Sequence, residues 1–386
     1  MQRLVFDEPY EFIPPYRGTF WSWAFRFYLP RFMRQWYGVE GWTTSGIEHL
    51  RRSLNADDGI VLCPNHSRSA DPMLSGAITT AAPCHVYAMA SWHVFKQSWL
   101  ETFVCRRAGA FSVYREGTDR RALETAIEIV STAERPLIIY PEGGISAAND
   151  RLMSLMDGTA FVARMALKKR LKAVPDSRVV VHPVAYRYQF TGDPDKLLPP
   201  VLSRLERRVF WQTQDDLTVP ERIEKLRCAV QAARETQILG RSLEGCAEDR
   251  MGALVEFVLQ PYEKEWLGAA RTGDVISRVK DLRIAILEDM VKNAVDAAER
   301  QRRWRHLTDL YYAQCMSLHV KGYLDPNLPR ERFHHRLFET MERMEEELTD
   351  QVTVYGGLHV EVRVGEAIVV EESRRRGRGD DPLMTD

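Results

Sequence analysis

The chain has 386 residues, more than one core of ordinary size requires, so we expect a large α/β domain and a second module. An apolar fraction of 45% and nine Trp residues exclude a largely disordered chain. The 53 Lys and Arg residues balance the 54 Asp and Glu residues, so overall charge does not indicate a nucleic-acid partner.

The six cysteines are scattered along the chain and form no Cys-x-x-Cys pair. This spacing argues against a zinc site or a disulfide framework and favours a reducing compartment. The amino terminus lacks a basic segment followed by an apolar one, so we expect no secretory signal peptide.

Residues 1–40 are predicted to form an aromatic and basic helical segment. Between residues 16 and 37 the chain is dense in Phe, Trp and Tyr, and its only charged residues are four arginines. Such a composition is typical of a helix lying in a membrane interface. Pro30 should break or kink this helix. The alternative is an aromatic flap packed on the protein's own core.

Residues 41–194 alternate between apolar runs and helical patterns. The expected strands cover residues 59–63, 85–90, 110–114, 136–140 and 178–186, and the expected helices include 118–133 and 158–172. The runs are rich in Val and Ile and do not alternate with polar residues, as is typical of strands covered on both faces. This rhythm predicts an α/β fold with a mostly parallel sheet flanked by helices. Ligands should bind at the carboxyl ends of its strands.

The sequence of residues 195–350 predicts an additional all-helical block, with helices at 217–239, 243–267, 275–312 and 330–349. Strand patterns return within residues 351–372, at 359–364 and 367–372, so the block is either inserted into the α/β domain or appended to it. Residues 373–386 are predicted to be a disordered basic tail, either simply solvated or in contact with anionic lipid or nucleic acid. No segment is typical of a transmembrane span; residues 72–95 lack charge but fit a buried helix and strand.

His66 and Asp71 stand just beyond the first buried run. Five positions separate them, so the two side chains meet only if the chain turns between them. A histidine with an orienting carboxylate at the end of a strand suits general base catalysis. The alternative is that Asp71 only caps a helix that begins with Pro72 and Met73.

Three further patterns mark candidate binding residues. Gly109 allows a close backbone approach, and Arg115 ends the same run with a guanidinium that suits phosphate. Glu142 lies on a turn with Gly143 and Gly144, whose N–H groups suit an anion or a substrate oxygen. Arg151 follows closely. The alternatives are that Arg115 is an ordinary surface arginine and that Glu142 lies on an ordinary turn. A fourth pattern, His182-Pro183-Val184, interrupts a buried strand with proline.

The order of these patterns resembles the glycerolipid acyltransferase family, which includes lysophosphatidate and glycerol-3-phosphate acyltransferases. The family carries Asn-His-x4-Asp, Gly-x-Phe-x-x-x-Arg, Pro-Glu-Gly-Thr and a Val-Pro strand. These are similar to Asn65-His66 through Asp71, Gly109 through Arg115, Pro141-Glu142-Gly143 and His182-Pro183-Val184 here. Gly365-Glu366-Ala367-Ile368 is similar to a late Gly-Glu-Pro-Ile strand of the family.

The resemblance implies an O-acyltransferase of phospholipid synthesis. His66, oriented by Asp71, would deprotonate a hydroxyl of a glycerol-phosphate or lysophospholipid acceptor, which attacks an acyl-CoA or acyl-carrier-protein thioester. Asn65, Gly109, Arg115 and the Glu142-Gly143-Gly144 loop would bind substrate. Neither a metal ion nor a cofactor is required, since the thioester is a co-substrate. The expected site of action is the cytoplasmic face of a membrane, as a peripheral or monotopic protein, while the oligomeric state is open.

The chain departs from the family where Gly144-Ile145-Ser146 replaces the usual Thr-Arg-Ser. Arg68 or Arg151 then substitutes for the missing arginine, or the acceptor is a different lipid or a hydrophobic alcohol. Two other possibilities remain from the sequence. One is a noncatalytic lipid-binding protein on this fold, and the other is a hydrolase that uses Cys63 with His66.

Overall fold

The computed structural model describes residues 5–245, 247–319, 322–372 and 383, so the predicted basic tail lies almost wholly outside the described residues. The chain divides into two units. The sheet unit contains Tyr10–Thr191 and the described residues from Gly356 onward, and the helical unit contains Gly192–Tyr355 and the described residues up to Pro9. The helical unit therefore interrupts the sheet unit along the sequence.

The elements of the sheet unit are α1 (Phe20–Tyr37), β1 (Val39–Ser45), α2 (Ile47–Asn55), β2 (Gly59–Pro64), α3 (Asp71–Ala81), β3 (Tyr87–Ser91), a 3-10 helix (Trp92–Lys96), α4 (Trp99–Arg107), β4 (Ala110–Val113), α5 (Arg120–Ser131), β5 (Leu137–Ile138), α6 (Gly158–Ala173), β6 (Val179–Phe190), β7 (Leu358–Val364) and β8 (Ile368–Val369). Those of the helical unit are α7 (Pro194–Leu197), α8 (Pro199–Phe210), α9 (Val219–Leu239), α10 (Ala247–Leu267), α11 (Val275–Val291), α12 (Ala297–Ser317) and α13 (Arg330–Thr349).

One sheet carries the eight strands in the order β1-β7-β6-β2-β5-β3-β4, with β8 also paired to β6. Strands β2, β3, β4, β5 and β6 are joined by parallel pairs, whereas β7 and β8 run antiparallel to β6. The predicted α/β fold with a mostly parallel sheet is confirmed. The returning strands are part of this sheet, because β7 lies between β1 and β6.

Both faces of the sheet are buried, which explains the continuous apolar runs. In β2, Ile60 and Leu62 pack in one core with Leu74 of α3, whereas Val61 packs in the opposite core with Ile129 of α5. Alternate residues of one strand therefore enter two cores. Side chains of this kind contribute about 1.5–3 kcal/mol each when fully buried.

Pro30 does not break α1, and the boundary predicted for one helix of the helical unit is wrong. Helix α1 continues through Pro30, which lies on the exposed side of the helix, where water can satisfy the carbonyl that loses its hydrogen bond. The single helix expected over residues 275–312 is two helices, α11 and α12. The chain turns at Asn293, with a φ of 53°, and Asp296 caps α12 by accepting the N–H of Glu299.

The helical unit has its own apolar core, built from α10, α11 and α12. Buried side chains such as Leu254, Leu282 and Leu310 form its centre. A buried Arg278 also bonds Glu263 at 2.7 Å and so ties α11 to α10. The sequence predicted the helices of this unit but no role for them.

Candidate active site

Three candidate residues lie just past the carboxyl ends of parallel strands. His66 follows β2, Arg115 follows β4 and Glu142 follows β5. Because the sheet order is β2-β5-β3-β4, these loops emerge at one edge of the sheet. This is the edge at which ligands bind in open α/β sheets.

His66 and Asp71 are in contact. The chain bends between them, and His66 Nδ1 lies 2.9 Å from Asp71 Oδ2. Asp71 is the first residue of α3 and is fully buried, and its carboxylate also accepts the backbone N–H of Arg68 at 2.9 Å. On its other oxygen, the carboxylate accepts the Tyr188 hydroxyl at 2.5 Å. The carboxylate therefore faces His66 and the loop instead of simply capping α3.

The ring of His66 is held at a fixed orientation. It packs against Tyr140 in a tilted arrangement, with 4.3 Å between ring centroids and 34° between the ring planes, and its side chain is 16% exposed. The carboxylate beside Nδ1 assigns the ring proton to that nitrogen, which leaves Nε2 as the basic atom. A hydroxyl that reaches Nε2 could pass its proton there.

Glu142 fixes the backbone at His66. Oε1 accepts the N–H of His66 at 2.6 Å, and Oε2 accepts the N–H of Met153 at 3.0 Å. The side chain is 1% exposed, and burial raises its pKa above the usual range. We predicted substrate binding by this carboxylate, but both of its oxygens accept hydrogen bonds from backbone N–H groups of the loops.

Asn65 ties the same loop to β6. Its Nδ2 donates to the carbonyl of Tyr186 at 3.1 Å, and its Oδ1 accepts the N–H of Tyr186 at 2.7 Å. Asn149 makes the same pair of bonds with Tyr188, at 3.1 and 2.8 Å. Both amides thus continue the strand pairing with side-chain atoms.

Arg115 reaches the turn after β5 and donates to the carbonyl of Gly143. Burial lowers the pKa of this guanidinium below its usual value. Gly143 has a φ of 67°, a region that glycine enters without strain. A Cβ at this position would lie 2.4 Å from the sulfur of Met156. Gly144 continues the same turn.

Gly109 lies at the other end of β4 from Arg115, and its role in substrate binding stays a prediction. Gly109 precedes the first residue of β4, at the amino end of the strand, whereas Arg115 follows its carboxyl end. The six steps from Gly109 to Arg115 include the four residues of β4 and span at most about 20 Å. Glycine is needed here because its φ is 104° and a Cβ would lie 2.4 Å from the carbonyl oxygen of Val86.

The two other arginines have different positions. Arg68 belongs to the loop, since its N–H bonds Asp71 and its guanidinium lies 5.2 Å from the ring centroid of Tyr188. Arg151 is half-buried on the loop after β5, and its role stays a prediction.

Sequence analysis missed three residues of this network: Tyr140, Asn149 and Tyr188. Tyr140 directly precedes the Pro141-Glu142 pair, so its position after β5 was a usable signal. Tyr188 lies on β6, more than one hundred residues from Asp71, and only the sheet order brings them together.

Cys63 does not fit a nucleophile. Burial raises the pKa of its thiol to about 12, so the thiolate is scarce at neutral pH. The structure therefore disfavours the hydrolase alternative.

Residues 42–187 match the family model described as Acyltransferase. This segment is a domain of the glycerolipid acyltransferase family. The acyltransferase domain contains His66, Asp71, Arg115 and Glu142, and it supports acyltransferase activity. No curated protein matches the chain. Among the residues described here, no helix combines the length and the apolar character that crossing a bilayer requires.

Proposed function

We propose that this protein transfers a fatty acyl group from an acyl thioester to a hydroxyl of a glycerol-phosphate or lysophospholipid acceptor. The observation that carries the proposal is the 2.9 Å contact between His66 Nδ1 and the buried Asp71 carboxylate, inside an acyltransferase domain. The donor is acyl-CoA or an acyl-carrier protein.

In this mechanism, His66 Nε2 takes the proton of the acceptor hydroxyl while the oxygen attacks the thioester carbonyl carbon. Asp71 stabilises the resulting imidazolium through Nδ1. The tetrahedral intermediate then breaks its C–S bond, and the imidazolium returns the proton to the leaving sulfur. An ester and a free thiol are the products, so the charge is balanced without a covalent acyl-enzyme.

The experiment that tests this proposal follows acyl-CoA consumption with and without lysophosphatidate. We expect thiol release that depends on the acceptor, and a loss of about 100-fold or more in His66→Ala, because general bases contribute 10²–10⁴-fold. His49→Ala, on α2, is the matched control. Activity of His66→Ala within tenfold of the parent would contradict the role of His66. Release without acceptor would indicate a thioesterase, and no release would indicate a lipid-binding protein.

A peripheral membrane location is supported by the exposed face of α1. Phe20, Trp23 and Phe27 recur at helical spacing, and Phe27 is 73% exposed. Arg31 and Arg34 continue this face toward the carboxyl end of the helix and are exposed. Aromatic rings followed by arginines suit the boundary between acyl chains and anionic headgroups.

Vesicle co-sedimentation tests this surface. The double variant Trp23→Ser/Phe27→Ser should lose binding to phosphatidylglycerol vesicles. Phe257→Ser, at an exposed position of α10, is the control and should bind as the parent does. Equal binding of the parent and the double variant would exclude α1 as the docking surface.

A second acceptor class, a hydrophobic alcohol or another lipid, is favoured by one observation. The loop after Glu142 exposes apolar side chains, since Ile145 is 39% and Leu152 61% exposed. A panel of lysophosphatidate, glycerol 3-phosphate and a long-chain alcohol with one acyl-CoA distinguishes the classes, with products identified by mass. If a product forms only from the long-chain alcohol, the acceptor is a hydrophobic alcohol and not a phosphorylated lipid.

A further inference from the structure

Tyr188 lies where three parts of the candidate active site meet. Its hydroxyl donates to Asp71 at 2.5 Å, its ring faces the guanidinium of Arg68, and Asn149 holds its backbone. The family match ends at residue 187, one position earlier. We infer that Tyr188 is a positioning residue for acyl transfer, acting on His66 through Asp71. This inference rests on the proposed role of His66 as the base.

The geometry explains how Tyr188 would act. Asp71 is fully buried, and a buried carboxylate needs a donor on each oxygen. His66 and the N–H of Arg68 share Oδ2, whereas Tyr188 is bonded to Oδ1. Anchoring Oδ1 fixes the plane of the carboxylate and directs Oδ2 at the imidazole.

The same hydrogen bond sets how strongly Asp71 attracts the imidazolium. A donor on Oδ1 draws negative charge away from Oδ2. The base must give its proton to the departing sulfur in the second half of the reaction, so an imidazolium held too tightly would slow that step. Tyr188 therefore moderates the carboxylate as well as orienting it.

The state of the Tyr188 hydroxyl is fixed. Burial, together with the charge of Asp71, raises the pKa of Tyr188 well above 10. The hydroxyl thus stays a hydrogen-bond donor throughout the range in which an imidazole titrates.

The backbone of Tyr188 is held as firmly as its hydroxyl. Asn149 accepts its N–H at 2.8 Å and donates to its carbonyl at 3.1 Å. Asn149 lies on the loop that also carries Glu142. That loop therefore fixes His66 through Glu142 and fixes Asp71 through Tyr188.

Other polar groups face Asp71 and must be separated from this effect. They are Arg68 on the same loop, Tyr140 and Glu142 after β5, and Tyr186 on β6. Tyr186 is two residues from Tyr188, on the same face of β6, and is equally buried. The hydrogen bond from Tyr188 is what distinguishes the two tyrosines at Asp71.

The test is the variant Tyr188→Phe, which removes the hydroxyl and keeps the ring beside Arg68. We expect kcat with acyl-CoA and lysophosphatidate to fall about tenfold, in keeping with the loss of one hydrogen bond to a charged group, while KM for the acceptor changes less than about twofold. The acid limb of the kcat pH profile should move to higher pH, because the freed carboxylate holds the imidazolium more tightly. Tyr186→Phe is the matched control and should leave this limb in place.

A second readout does not depend on turnover. In protein labelled with 15N-histidine, the titration midpoint of the His66 ring should rise in Tyr188→Phe and stay at the parent's value in Tyr186→Phe. The inference would be overturned if Tyr188→Phe and the parent had superimposable pH profiles and titration midpoints. Equal shifts in Tyr188→Phe and Tyr186→Phe would also overturn it. Absence of acyl transfer in the parent would refute the proposed function, while the ring titration would still show whether Tyr188 acts on His66 through Asp71.

Discussion

The carboxylate of Glu142 accepts the backbone N–H of His66 at 2.6 Å. The bond joins the loop after β5 to the loop after β2, two neighbouring strands of the sheet. Its second oxygen accepts the N–H of Met153, so one buried side chain sets the course of two loops. The position of the imidazole therefore depends on a residue that does not touch it.

Replacing Glu142 by Gln should disturb the site more than its small change in size suggests. An amide has one oxygen, so either His66 or Met153 loses its acceptor and faces an NH2 group. An unpaired buried donor costs about 1–3 kcal/mol. We expect Glu142→Gln to lower the free energy of unfolding by this amount in urea titrations and to lower kcat at least tenfold.

Glu124→Gln, at an exposed position of α5, is the control for removal of a negative charge. It should keep the stability and kcat of the parent. A kcat of Glu142→Gln within twofold of the parent would mean that the loop keeps its course without this carboxylate.

The turn after Glu142 should tolerate only glycine at position 143. Gly143→Ala places an L residue at a φ of 67°, at a cost of about 1–2 kcal/mol, and its Cβ would meet the sulfur of Met156 at 2.4 Å. Combined with Met156→Ala, the substitution should cost less than the sum of the two single changes, because the collision is removed. Unfolding free energies of the four proteins in a double-mutant cycle measure this coupling.

Gly158→Ala is the matched control, because a Cβ at this first residue of α6 meets no atom within 4 Å. It should leave stability nearly unchanged. Strict additivity of Gly143→Ala and Met156→Ala would show that the turn moves away from the sulfur without cost.

The sequence predicted the sheet best where strands are covered on both faces. Residues 59–63 and 110–114 match β2 and β4 closely. Gly59–Cys63 contains the uninterrupted run Ile-Val-Leu that marks a buried strand, and Ala110–Val113 combines Ala, Phe and Val with a single small polar residue, Ser112. Strand β1 was missed, because Val39–Ser45 contains Glu, Gly, two Thr and Ser and has little apolar pattern. Its pairing with β7 joins segments more than 300 residues apart, which no local pattern reveals.

The candidate site was predictable in part. The motif order identified the loops that carry His66, Asp71, Arg115 and Glu142, because each follows a strand. The motif order did not distinguish side chains that are available to substrate from side chains that form hydrogen bonds with the backbone. The amide of Asn65 is bonded to β6 on both of its atoms, and this depends on the register between β2 and β6.

Arg115 should matter most for acceptors that carry a phosphate. A guanidinium has five N–H groups, so the bond to the Gly143 carbonyl leaves donors that can bind a phosphate bidentately. Hydrogen bonds to charged groups contribute about 1.5–3 kcal/mol. We expect Arg115→Ala to raise KM at least tenfold for lysophosphatidate and much less for an uncharged acceptor such as monoacylglycerol.

Initial rates over a range of both acceptors provide this comparison. Arg120→Ala, at an exposed position at the start of α5, controls for the loss of a positive charge. Equal increases in KM for both acceptors would assign Arg115 to bracing the turn and not to binding phosphate.

His182 should make the sheet unit sensitive to mild acid. The ring is fully buried on β6, where Nδ1 donates to the carbonyl of Gly365 at 2.9 Å and Nε2 accepts from the Ser53 hydroxyl at 3.0 Å. Burial lowers the pKa of His182 below its usual value of 6.5. Below pH 6.5 the imidazole of His182 is therefore protonated in the unfolded chain but stays neutral in the folded chain. Stability falls with pH from 6.5 down to the folded pKa, by at most about 1.4 kcal/mol per pH unit.

The variant His182→Asn has no group that titrates in this range. The difference in unfolding free energy between parent and variant should be constant above pH 7. As the pH falls from 6.5, the parent should lose stability relative to the variant. Urea titrations at half-unit steps from pH 7.5 to 5.0, with hydrogen exchange of the β6 amides as a local probe, measure it. A difference that stays constant down to pH 5.0 would mean that the folded chain protonates this ring as readily as the unfolded one does.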